Sequence, residues 1–250
     1  MTPGPDTTAP SPDALAAALI AELRAQANAE NLVGMSRYGI VTTRALGVPM
    51  PVVRAMARDT KRALRGDSQG RHRAAATLWE SGIHEASILA GLLDEPSLVD
   101  EAQMESWAAE LDSWDTCDTL INNLFRRAEP AWRKAVEWTG RDEEFVKRGG
   151  FVLGATLAVH DKTASDESFI ELLGMAQREV TDERGFVTKA VNWQIRQIGK
   201  RSVQLNSEAI AVCERVLEVH SDSRAARWIA RDALRELRSD AIKARLESAT

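Results

Sequence analysis

The chain has 250 residues, 44% of them hydrophobic, and carries 37 acidic against 32 basic side chains for a formal net charge of −5. This length supports an extensive core or a helical array, and the acidic balance argues against indiscriminate polyanion binding without limiting the charge of any one face. No stretch approaches 18 consecutive apolar residues, so no membrane-spanning helix is expected and a cytoplasmic location is.

Residues 1–12 hold four prolines among Thr, Ser and Gly and read as a disordered tail. The start Met1–Pro5 lacks a basic stretch followed by an apolar run, so no signal peptide is expected. A helix is predicted from about Pro12–Asp13 to Ala29, followed by a turn-rich connector over Gly34–Ile40. The next helix should begin at Pro51, because proline suits the first helical turn, and Gly66 to Gly70 reads as a polar loop. Further helices are predicted near 72–80, 83–94, 101–111, 115–128, 130–139, 142–158, 167–180, 184–200, 206–219 and 222–238. The helical domain is expected to span 13–240, with a C-terminal tail over 241–250. Ala, Leu, Glu and Arg dominate and nothing alternates with period two, so the fold class is all-α.

Two pairs of segments repeat. Phe145-Val146-Lys147-Arg148 and Phe186-Val187-Thr188-Lys189 open comparable helices 41 residues apart, and Ile195-Arg196-Gln197-Ile198 recurs as Leu234-Arg235-Glu236-Leu237. Periods near 40 residues with two helices each predict a HEAT-like α-solenoid, a single curved domain with a concave surface. Irregular helical packing is the alternative.

Several helix faces carry candidate binding groups. Lys189, Trp193, Arg196 and Lys200 follow helical spacing beside an apolar stripe of Val187, Ala190, Val191, Ile195 and Ile198. Arg224, Arg227, Arg231, Arg235 and Arg238 form an arginine ridge. Such faces are more often solvated and paired with nearby acids, and a lone Trp is more often core than ligand platform. On successive repeats, however, basic stripes would merge into a track for a phosphate backbone.

The segment Ser113-Trp114-Asp115-Thr116-Cys117-Asp118 is the most informative. Trp114 and Asp118 lie four residues apart and share a helix face, an arrangement poorly suited to a core and well suited to a cationic or sugar-like ligand. The bland alternative is a structural ion pair between Asp118 and an arginine such as Arg148. Cys117 and Cys213 match no ligand or disulfide spacing and read as buried thiols, and His72, His84, His160 and His220 are scattered. With no Gly-rich phosphate loop or nucleophile elbow, no metal and no organic cofactor are expected.

Together, Ser113–Asp118, Phe145–Arg148, Phe186–Trp193 and Ile198-Gly199-Lys200 resemble the bacterial DNA alkylation repair glycosylases of the HEAT-like-repeat (AlkD) type. Met35-Ser36-Arg37-Tyr38 with Ala45-Leu46-Gly47 is similar to that family's N-terminal part, so the resemblance covers about residues 14–238. It implies hydrolysis of the N-glycosidic bond of cationic alkylpurines, such as 3-methyladenine and 7-methylguanine, in double-stranded DNA by a monomer. It assigns the lesion site to Asp118, Arg148, Trp114 and Trp193, and DNA contacts are expected of Tyr38, Lys189, Arg196, Lys200, Arg227 and Arg231. One position departs: close to Pro49 the active type carries a Gln that contacts DNA opposite the lesion. A non-catalytic relative that binds branched or distorted DNA is therefore the rival expectation, and a protein-binding scaffold the third.

Overall fold

Helices dominate because alanine, leucine and the long charged residues lose little rotamer freedom in them. The computed structural model of the protein describes residues 11–248, and among these there is no strand. The expected disordered tail lies, apart from Ser11 and Pro12, outside the described residues. The chain divides after Leu98 into two compact units.

The first unit contains α1 (Pro12–Ala25), α2 (Ala29–Arg37), α3 (Met50–Ala63), α4 (Ser68–Glu80) and α5 (His84–Leu93), with a 3-10 turn over Pro96–Leu98. α1 packs on α4, α4 on α5, and α3 on α5. Two boundaries differ from the expected ones. The first helix stops at Ala25 because Asn28 caps a new helix, its Oδ1 accepting from Glu30 N at 3.0 Å, so the expected connector begins only at Tyr38. Likewise Asp67 accepts from Gly70 N at 2.7 Å and starts α4 inside the expected loop.

The loop from Gly39 to Pro49 is organised by one buried carboxylate. Glu85, in the first turn of α5, accepts hydrogen bonds from the backbone N–H groups of Leu46, Gly47 and Val48 at 2.8, 2.7 and 3.2 Å. Gly47 has φ +77°, and a Cβ there would sit 2.1 Å from the carbonyl oxygen of Asn28, so only glycine fits. Pro49 follows as the exposed N-cap of α3.

The second unit contains α6 (Glu101–Ala109), α7 (Trp114–Asn123), α8 (Ala131–Glu137), α9 (Glu144–His160), α10 (Asp166–Arg178), α11 (Gly185–Ile198), α12 (Val203–Val219), α13 (Arg224–Leu237) and α14 (Asp240–Glu247), with 3-10 turns at Phe125–Arg127 and Trp138–Gly140. α7, α9, α11 and α13 pack in succession as one row, and α8, α10 and α12 form the other. Each odd-numbered helix from α9 onward also packs on the even-numbered helix before it. The expected C-terminal tail is in fact helical as far as Glu247: Ser239 caps α14 and Asp240 supplies an acidic first turn.

α9 is the centre of this unit. Residues Val146 to Ala158 are all buried, which a helix tolerates only when neighbours cover every face. Gly150 lets the backbone of Trp138 and Thr139 approach closely, for a Cβ would lie 2.6 Å from Thr139 N. Beneath it lies an aromatic core of Trp107, Phe125 and Trp138, with ring centroids 6.1–6.3 Å apart.

Replacing Glu85 with Ala should orphan three backbone donors and lower unfolding free energy by about 3 kcal/mol, measured by urea denaturation. Glu85→Gln, which keeps one acceptor oxygen, should cost less.

Candidate active site and nucleic-acid interface

Three neighbouring helices of one row in the second unit meet at one guanidinium. Arg148, buried in the second turn of α9, donates from Nε to Asp118 Oδ1 at 2.9 Å and from Nη2 to Asp118 Oδ2 at 2.7 Å. Its Nη1 donates to the carbonyl of Phe186 at 2.6 Å, at the start of α11. The fork thus joins α7, α9 and α11. Phe145 and Phe186, the second residues of their helices, pack ring against ring at a tilt of 36°, with centroids 5.5 Å apart, and set these helix starts side by side. The 41-residue repeat is therefore a repeat in space, and Lys189 stands on α11 where Arg148 stands on α9.

Asp118 lies in the second turn of α7 with its side chain 20% exposed. Burial pushes its carboxyl above the ordinary carboxylate range, while Arg148 draws it back toward ionisation. Since the folded value exceeds the unfolded one, the ionised carboxylate costs the fold stability at neutral pH, and that cost fades as pH falls through the raised value. Cys117, next to it, is fully buried, with its thiol pushed far up by burial and its Sγ 3.7 Å from the carbonyl of Phe145. Cys213 is also buried, its thiol pushed up to about 12, so both cysteines are inert packing groups.

The seven tryptophans divide by environment. Trp79, Trp107 and Trp138 are buried, and Trp132 donates to Asp161 at 2.9 Å while packing edge-on against Phe169. Trp114 and Trp193 are half-buried, and Trp228 is exposed. Trp114 opens α7 one turn before Asp118, on the same side of the helix. Trp193 is seven residues beyond Phe186, hence about 10 Å along α11 from the point where Arg148 touches that helix. Trp114 shares a face of α7 with Asp118, which Arg148 meets from α9, and Trp193 lies two turns along α11 from the Arg148 contact.

The expected cationic stripe on α11 is largely neutralised. Arg196 pairs with Glu236 and, at 3.4 Å, with Asp232, while Lys200 pairs with Glu236 at 2.6 Å. Burial pushes Glu236 upward, but Lys200 and Arg196 outweigh it and hold the carboxyl below its usual range. Lys189 is exposed. On α13, Arg238 turns away to Glu214 and Arg235 pairs with Asp232, whereas Arg224 and Arg231 are exposed and have no ion pair among the described residues. Tyr38, 73% exposed, lies at the end of α2 in the first unit. Sequence reasoning missed Glu85 as the anchor of the Gly47 loop, the Phe186 carbonyl as the third ligand of Arg148, and Trp228. The position of Trp228 within the arginine ridge was the available signal for the last.

The family described as DNA alkylation repair enzyme matches residues 19–237. The chain belongs to that family. No protein among those of curated function matches the sequence significantly. A solved structure, from work describing a new family of proteins related to the HEAT-like repeat DNA glycosylases with affinity for branched DNA structures, matches with a TM-score of 0.66. The identity is 15%, over 79% of this chain and 81% of that one. At that identity the likeness speaks for the fold, which is all-α and HEAT-like, in agreement with the sequence repeats.

Arg148→Ala should strand a half-buried carboxylate, lower stability by about 3 kcal/mol in chemical denaturation, and raise the titration midpoint of Asp118 in a carboxyl 13C NMR experiment. Arg148→Lys, which keeps the charge but loses the fork, should fall between.

Proposed function

We propose that this member of the DNA alkylation repair family is a glycosylase that hydrolyses the N-glycosidic bond of cationic N-alkylpurines in duplex DNA. The observation that carries the reading is Asp118: a desolvated yet partly accessible carboxylate, held by a two-point contact with Arg148 and flanked by Trp114.

Alkylation at a ring nitrogen makes the purine a cationic leaving group. As the bond from C1′ breaks, its electron pair leaves with the base and neutralises the ring, while positive charge develops on deoxyribose. The Asp118 carboxylate faces that charge, and its low-dielectric surroundings strengthen the attraction. It also orients the attacking water, whose oxygen bonds to C1′ and whose proton passes to solvent. The indole faces of Trp114 and Trp193 add cation–π attraction that grows as the sugar becomes cationic. Arg148 positions Asp118. Because the departing base needs no proton, the scheme uses no general acid, no metal and no organic cofactor.

Lys189, Arg227 and Arg231 are the proposed phosphate contacts of the second unit, and Tyr38 is a separate proposed DNA contact on the first. Arg196 and Lys200 join them only by exchanging Asp232 and Glu236 for phosphate. A second reading, DNA binding without excision, is favoured by Pro49, which offers no side-chain donor at the exposed start of α3.

Incubation with duplex DNA containing 7-methylguanine should produce abasic sites faster than spontaneous depurination, and Asp118→Asn should lower the rate about a hundredfold. Excision by the wild type should fall as pH drops through the raised Asp118 value, where the carboxylate is lost. No excision above background favours the second reading, and full activity in Asp118→Asn removes the proposed mechanism.

A further inference from the structure

α13 carries a shallow groove of which the proposed function uses only Arg227 and Arg231, as phosphate contacts. The groove, about 310 Å³, is lined by Arg224, Arg227, Trp228, Arg231, Asp232 and Arg235. Its floor is the solvent side of α13, whose opposite face, including Ala226, Ile229, Ala230 and Ala233, is buried. Four arginines thus follow one another over about 16 Å of helix axis, with Trp228 in their midst and 45% exposed. Arg227 donates to the carbonyl of Ser221 at 2.6 Å, and Asp232 engages Arg235 and Arg196. Arg224, Trp228 and Arg231 have no hydrogen bond or ion pair among the described residues.

Two features say what this surface is for. The first turn of α13 contains no acid and holds Arg224 and Arg227, where the helix dipole already favours an anion. An anionic chain lying there is attracted by both. The second feature is the large indole among the cations. In a duplex the base faces are stacked on one another, so a tryptophan beside phosphate-binding arginines can stack on a base only where the nucleotide is unpaired.

We propose that the Arg224–Arg235 face of α13 binds an unpaired DNA strand, with its arginines on the phosphates and Trp228 stacked on a base. The inference rests on the reading that the chain binds DNA and is independent of excision. It adds a second contact for DNA whose strands have separated, in which Trp228 provides the preference and the arginines the general affinity.

The test compares a fluorescent duplex bearing single-stranded thymidine arms with a blunt duplex of the same paired sequence, by anisotropy at fixed salt. Wild type should bind the forked DNA more tightly. Trp228→Ala should weaken forked binding about tenfold and blunt binding less than twofold, and Trp228→Phe should retain most of the preference. Arg231→Ala should weaken both and lower the salt slope by about one. Photocrosslinking of 5-iodouracil placed in an arm should map to Trp228, which tests the contact in the unaltered protein. No forked preference in the wild type, equal loss on both DNAs in Trp228→Ala, or a crosslink elsewhere would overturn the inference. Asp118→Asn separates the two readings: its forked preference should persist whatever its excision rate.

Discussion

The second unit is organised around one guanidinium. Arg148 commits three N–H donors, two to Asp118 and one to the Phe186 carbonyl, and so fixes the starts of α7, α9 and α11 relative to one another. Only arginine has a rigid fork that can meet both carboxylate oxygens and still reach a third acceptor. The helix around it is built to bring neighbours close. Gly150 admits the backbone before α9, and Gly154 faces Gln194 of α11, where a Cβ would lie 2.2 Å from the side-chain oxygen. A buried ion pair is weak evidence for stability in itself, since desolvation offsets much of the attraction. Its value here is positional. It holds a carboxylate in one orientation, against a counter-charge, at a partly open site.

The same contrast between committed and available groups runs through the rest of the unit. Lys134 is almost fully buried and gathers Glu101, Glu105 and Glu137, each within 2.7 Å, tying α6 to α8. Lys147, one residue before Arg148, instead serves Glu179 and Asp182. These cations are structural. Lys189, Arg224 and Arg231 remain exposed, and they lie on α11 and α13, helices of the row that also carries Asp118 and Arg148. A net charge of −5 is thus compatible with cationic groups kept on chosen helices.

Much of this was legible in the sequence because it is local. Helical periodicity and caps located most elements, and the Phe145 and Phe186 segments revealed a repeat that the structure turns into a ring contact. The family motifs marked Asp118 and Arg148, which the fold brings to hydrogen-bonding distance. What escaped depends on register between distant segments. Arg196 and Lys200 looked like open cations because their partners, Asp232 and Glu236, lie 36 to 40 residues away on another helix. Glu85 escaped for the same reason: its three partners are 37 to 39 residues upstream. α2 and α14 were missed because short helices that bury almost nothing depend on caps such as Asn28 and Ser239 more than on an apolar stripe.

The proposed chemistry makes a claim about charge: the site stabilises a cationic sugar and relies on the lesion's own positive charge to release the base, with no protein acid to protonate it. The most direct measurement is single-turnover release of 7-methylguanine compared with a neutral lesion, hypoxanthine, from otherwise identical duplexes. The account predicts release of the cationic base and none of the neutral one above background. Comparable release of both would contradict it, because the neutral base would need an acid that the Asp118–Arg148 site does not supply.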